Sequence, residues 1–273
     1  VFSLVSVVVL SLYMPIKAAI PIVSAKYILT VSYFAFWSSG LWFVGNDDAS
    51  FFENGLLLFE SGYNPISIWS SVEGSYHFQC APIACWKFGS LALYRWWNML
   101  WIYLIAPEYY APVLANVFVT VLSGCVFVDI LRSSGFSEKY RIGFIIFFLL
   151  HWDVVAWSSF LNLKEPLITL LLLLSLRSII GLVQLKSIVI NIIVLGVIIY
   201  LFQGIRFYYP VLIAISGALY LMVQAKNKVL IFSLLLVAAT GIVIHYSNYY
   251  SLIKELVDPT RVLIGLVREL LSP

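Results

Sequence analysis

The chain is 273 residues long, 62% hydrophobic and only 11% charged, with a net charge of +3. Soluble domains carry about 25% charged residues, so this composition excludes an ordinary soluble domain and requires lipid as part of the solvent. No basic tract of the nucleic-acid-binding type occurs, so no nucleic-acid partner is expected, and the alternating ten-residue segments of a transmembrane β-barrel do not occur.

Apolar runs of helix-spanning length recur along the chain, which predicts an all-α, polytopic transmembrane bundle of about seven to eight spans in a single domain over 1–273. The predicted spans are 1–16, 27–45, 110–131, 142–160, 167–185, 187–205, 208–225 and 229–246. The chain opens on Val1 and closes on Ser272-Pro273, as expected of a fragment. Between the second and third spans lies a long loop, 46–109, expected to carry interfacial helices. Its opening residues 48–60 predict a helix lying on the membrane surface, with Phe52, Leu56 and Phe59 on the lipid side and Glu53 and Glu60 in water. Segment 91–105 is short, carries Arg95 and is dense in Trp and Tyr, residues that favour the membrane–water interface. It is expected to be interfacial or re-entrant. The tail 247–273 reads as an amphipathic helix opened by Asp258-Pro259.

Charge decides the orientation. With 91–105 not spanning, one face collects Lys17, Lys26, Arg132, Lys139, Arg141, Arg177, Lys186, Lys226 and Lys228, nine of the sixteen basic residues, beside only Asp129 and Glu138. Cytoplasmic loops are enriched in Lys and Arg, so this face is expected to be cytoplasmic. Loop 46–90, the turn Asn162–Pro166, the turn Gly204–Pro210 and the tail then share the other face.

Two adjacent aspartates, Asp47 and Asp48, close the second predicted span. One of them can cap the 48–60 helix; the other is available as a base or metal ligand, with Asp48 expected as the cap and Asp47 as the base. In Lys164-Glu165-Pro166, proline and glutamate suit a helix start. A lysine there opposes the helix dipole and implies an anionic partner: Glu165, one of the aspartates, or a phosphate. Arg206, between membrane helices and beside Tyr208 and Tyr209, raises the same question, with snorkelling to the interface as the alternative. Asp153 lies inside the run 142–160, where ionisable residues face a cavity or a partner; a structural hydrogen bond and a substrate contact both remain open. His77 is a further acid–base or ligand candidate. Cys80 and Cys85 are either bridged or free thiols, and Cys125 is a packing residue.

Acids and cations from remote segments thus gather on one face, which suits chemistry on a lipid-linked phosphate. The motifs Asn46-Asp47-Asp48-Ala49-Ser50-Phe51-Phe52, Glu60-Ser61-Gly62-Tyr63-Asn64-Pro65 and Asn162-Leu163-Lys164-Glu165 resemble those of the GT-C superfamily of polytopic membrane glycosyltransferases, including the protein mannosyltransferases and other family 39 enzymes. The likeness covers roughly residues 27–210. It implies transfer of a sugar from a polyprenyl-phosphate donor to a glycan, lipid or protein acceptor, with inversion, on the non-cytoplasmic side of the plasma (inner) membrane. It further implies Asp47 or Asp48 as catalytic base, Lys164, Glu165 and Arg206 at the donor phosphate, and a divalent metal, where one is used, on the aspartates. Two other readings stand beside it: a polysaccharide polymerase or ligase acting on lipid-linked glycans, and a transporter or flippase for a lipid-linked or anionic solute.

Overall fold

The computed structural model describes residues 1–36, 46–66, 92–205, 209–210, 212–214 and 216–217. Two compact units divide the chain, Val1–Ile213 and Ala214–Pro273, and the second falls almost wholly outside the described residues. So do His77, Cys80, Cys85, Arg206 and the tail 247–273, as well as the side chain of Asp47.

Every regular element among the described residues is an α-helix: α1 (Phe2–Ser11), α2 (Ile16–Phe36), α3 (Asn46–Glu60), α4 (Ala92–Leu104), α5 (Tyr110–Ser133), α6 (Glu138–Leu150), α7 (Trp152–Ser159), α8 (Glu165–Val183) and α9 (Ile188–Gln203). Three of them, α2, α5 and α8, are long and apolar enough to cross a bilayer. The pair α6–α7, bent by 53° at His151, qualifies as a fourth crossing if counted as one span. The full expected number of spans is therefore not reached among the described residues.

Hydrogen bonds and ring contacts fix how these helices run. At one end, Arg177 of α8 meets Asp129 of α5 (Nε to Oδ2, 3.3 Å), with Arg132 also beside that carboxylate at 3.7 Å. Gln184 after α8 donates to the Ser133 carbonyl that ends α5 (3.2 Å). The Arg132 guanidinium lies over the Tyr13 ring at the α1–α2 turn. At the other end, Tyr94 of α4, Asn116 near the start of α5, and Asn162 and Leu163 before α8 are hydrogen-bonded together. The Leu93 amide donates to the Gly204 carbonyl after α9 (3.0 Å). Helices α5 and α8 therefore run in parallel, and α6–α7 makes the single return pass between them.

Helix α2 is the largest departure from the expected span. It begins at Ile16, eleven residues before the predicted start at 27, and Lys26 lies well inside it, 0% exposed, rather than at a cytoplasmic end. A lysine at the centre of a membrane helix costs about 2.5–3.5 kcal/mol on insertion scales, which is why the sequence pattern placed it in a loop. The cost is offset by two acceptors: the Leu149 carbonyl at 3.2 Å and Ser158 Oγ at 3.1 Å.

Helix α3 runs 46–60, and Gly62, at φ 80°, turns the chain out of it. Its protein-facing stripe is Asp48, Phe51, Gly55 and Leu58, at helical spacing. Phe52 and Phe59 are half-buried, their rings against Tyr109 and Tyr103. Glu53 and Glu60 are exposed, as the sequence suggested. The α3–α4 contact is close enough that a Cβ on Gly55 would fall 2.6 Å from Asn98 Cβ. Helix α4 has 13 residues, about 20 Å, against the ~30 Å of a bilayer core. Its described residues fall short of a crossing, and Tyr94 and Met99 on it are fully buried.

Candidate functional site

The start of α3, the residue before α5 and the turn before α8 meet at one end of the bundle. Asp48, in the first turn of α3, is 1% exposed. Its Oδ1 accepts from the Ala49 amide at 2.9 Å, one of the amides that a helix N-terminus leaves without an intrahelical partner. Its Oδ2 accepts from the Tyr109 hydroxyl at 3.1 Å. The Tyr109 oxygen in turn accepts from the Asn162 amide at 2.9 Å. One hydroxyl thus ties the start of α3 to the turn before α8, and the amide it accepts leaves its proton for Asp48. Burial, helped by the neighbouring carboxylate, pushes the Tyr109 hydroxyl well above the ordinary tyrosine range, so it remains a donor across the physiological range.

Behind this tie lies a buried polar network that the sequence reading did not identify. The Asn162 side chain donates to Asn98 Oδ1 (2.5 Å) and to the Asp48 carbonyl (3.5 Å), across 114 residues in the second case. Asn162 Oδ1 and the Leu163 carbonyl both lie within reach of the Tyr94 hydroxyl, at 2.8 and 2.6 Å. Asn116 donates to Tyr94 Oη and to the Leu163 carbonyl, each at 3.0 Å, and accepts from Trp97 Nε1 at 3.3 Å. Asn98, Asn116 and Asn162 are all 0% exposed. The signal available beforehand was asparagine in strongly apolar surroundings. Asn116 stands within a long span and Asn98 within an aromatic helix, and a buried amide must find partners.

Lys164 caps α8 by its backbone, its carbonyl accepting from the Ile168 amide at 3.0 Å. Its side chain is 4% exposed, with Nζ 3.8 Å from Glu165 Oε1 and 4.9 Å from the centre of the Phe51 ring. Phe51 stands one helical turn after Asp48. The aspartate motif and the Lys164-Glu165 turn therefore occupy one end of one bundle, as the charge distribution predicted. On either side of residues 206–208, the Gly204 carbonyl accepts from the Leu93 amide of α4 and Tyr209 stacks on Phe202 at 5.0 Å. Phe202 belongs to the same apolar cluster as Phe51 and Tyr94. Arg206 itself lies outside the described residues.

The remaining candidates stand apart. Asp153 is exposed at the α6–α7 bend, its carboxylate 3.6 Å from His151 Nδ1. It is not in the buried interior, because the bend turns the start of α7 outward. Cys125 is free and buried in the apolar interior of α5.

The arrangement offers a buried, donor-rich frame around Asp48, Lys164 and Glu165. It fixes Asp48 by both oxygens and leaves Asp47 next to it in sequence, at the helix start. Among the described residues no three His, Cys, Asp or Glu side chains converge as metal ligands, and both carboxylate oxygens of Asp48 accept from protein donors. No protein-family model, curated protein or solved structure matches the chain.

Proposed function

We propose that this chain is a membrane glycosyltransferase of GT-C type, a bundle of seven to eight passes using a polyprenyl-phosphate sugar on the non-cytoplasmic side of the plasma (inner) membrane. The observation that supports this most is the meeting of the Asp47-Asp48 motif with the buried Lys164-Glu165 turn at the end of the bundle opposite Arg132 and Arg177. In the proposed reaction an acceptor hydroxyl, from a glycan, a lipid or a protein, attacks the anomeric carbon. The bond from that carbon to the phosphate oxygen breaks, the polyprenyl phosphate leaves with the electron pair, and configuration inverts. Asp47 takes the hydroxyl proton. Asp48, fixed by Tyr109 and Ala49, holds the helix start that presents Asp47. Lys164, steadied by Glu165, stabilises the leaving phosphate, and Arg206 is assigned to the same phosphate.

The experiment is transfer from defined polyprenyl-phosphate sugars by the purified protein and by Asp47→Asn and Asp48→Asn. Transfer by the wild type, lost in Asp47→Asn, is the expected result. Transfer that survives in both variants removes the aspartates from the chemistry.

The transporter reading has one observation of its own: a span broken at depth with a buried lysine against the break, a feature of solute carriers. Uptake or flipping of a lipid-linked sugar by proteoliposomes, with no transfer product, would favour it over the enzyme.

A further inference from the structure

The bend between α6 and α7 carries none of the usual helix-breaking residues; the local contact across it is the His151–Asp153 pair at 3.6 Å. Sharp kinks arise at proline, at glycine or serine pairs, at π-bulges, or where another side chain enters the helix ladder. The sequence across this bend, Phe148-Leu149-Leu150-His151-Trp152-Asp153, contains neither proline nor glycine. The 13 residues of α6, the 8 of α7 and His151 between them would make a straight helix of about 33 Å, long enough to cross a bilayer unbroken. Breaking it frees the last carbonyls of α6, at a depth where each must be satisfied by protein.

Lys26 meets that need. Its amino group, from the middle of α2, reaches the Leu149 carbonyl at 3.2 Å on one side of the bend and Ser158 Oγ at 3.1 Å on the other. Among the described residues no carboxylate lies within ion-pair distance of it. The negative end of a helix favours a cation, so Lys26 and the broken end of α6 complement each other. Tyr33, seven residues along α2, packs its ring on Phe160 at 4.7 Å, just past the end of α7.

We propose that Lys26 is the pin that holds this span bent, and that the bend places the segment 160–164 in the candidate site. Helix α7 leads directly into that segment, whose Asn162 bonds Tyr109, Tyr94, Asn98 and the Asp48 backbone. With the pin removed, α6 and α7 join into one straight helix, and Asn162 and Lys164 move away from Asp48. Lys26 acts on the site through α7 and is a positioning residue. The inference does not depend on which reaction or transport the site performs.

The test is a pair of distances between spin labels in the full chain, with Cys80, Cys85 and Cys125 replaced by alanine. One label goes at the exposed Trp157 of α7; the other goes at Leu57 of α3 or Ile28 of α2, both exposed. Straightening swings the far end of α7 by roughly 10 Å. In Lys26→Met at least one distance should shift by roughly 5 Å or more, and Lys26→Arg, which retains a cationic donor, should restore the wild-type distances. Wild-type distances in Lys26→Met overturn the proposal, as does a failure of Lys26→Arg to restore them. If Lys26→Met gives no folded protein, Ser158→Ala decides. It removes the α7 anchor by a small change, and a broadened Trp157 distance distribution supports the pin, whereas an unchanged one overturns it.

Discussion

The Tyr109 hydroxyl donates to the Asp48 carboxylate at 3.1 Å, and nothing in the spacing of these residues, 61 apart, announces it. Tyr109→Phe removes that donor and the acceptor for the Asn162 amide together, leaving buried polar groups unpaired at about 1–3 kcal/mol each. The expected outcome is a loss of roughly that size in denaturant stability in detergent, and a fall in whatever activity the site performs. Unchanged stability would show that Asp48 does not depend on this hydroxyl.

Alkaline pH tests the same region with a definite sign. Burial raises the hydroxyls of both Tyr94 and Tyr109 above their ordinary value of 10.0. Above about pH 10 the unfolded chain loses these protons while the folded chain keeps them. Their contribution to stability is therefore complete below about pH 10 and declines as pH rises beyond it. Unfolding midpoints measured from pH 8 to 11 should fall more steeply in the wild type than in Tyr109→Phe. Parallel curves would contradict the burial-driven shift.

How much of this was legible beforehand varies by element, for physical reasons. Helices α5 and α8 were located within two residues at either end, because each is a full-length apolar run bounded by polar turns. Helix α2 starts earlier than expected because Lys26 looks like a loop residue until its surroundings are known; a lysine becomes tolerable in a span only through the Leu149 carbonyl and Ser158, which lie far along the chain. The bend at His151 was invisible for the same reason, since Lys26, which bonds both sides of it, sits on another helix. The meeting of residues 48 and 162–165 followed from the charge count. The amide network did not, because Tyr94, Trp97 and Asn98 in an aromatic segment are also what an interfacial anchor looks like.

Gly55 provides a packing test. An added Cβ would lie 2.6 Å from Asn98 Cβ and 2.9 Å from the Met99 amide nitrogen, forcing α3 and α4 apart. Gly55→Ala should destabilise by about 1–3 kcal/mol, although alanine is the better helix former. Gly143→Ala in α6, where nothing lies within 4 Å, is the control and should be neutral or stabilising by up to about 1 kcal/mol. Equal effects at the two sites would argue against the close α3–α4 contact.

Asn98 and Asn162 should behave as a unit. Their side chains are bonded at 2.5 Å, so the double substitution Asn98→Ala/Asn162→Ala should cost less than the sum of the singles, with a coupling of about 0.5–3 kcal/mol. Additive losses would mean that the two amides act separately.

Lys164 separates a structural from a functional cation. Phe51 would still pack on methionine, and the Glu165 side chain, 35% exposed, can draw on water once its cation is removed, so Lys164→Met should retain the fold with at most a few kcal/mol lost. If the amine serves a donor phosphate, KM for a polyprenyl-phosphate sugar should rise tenfold or more, about 1.4 kcal/mol, or kcat fall by as much. Lys164→Arg should recover part of the loss. Arginine keeps the charge but not the compact ammonium geometry, so recovery should be incomplete. A Lys164→Met protein with wild-type transfer kinetics would assign this lysine to the α3–α8 packing alone and remove it from the proposed phosphate site.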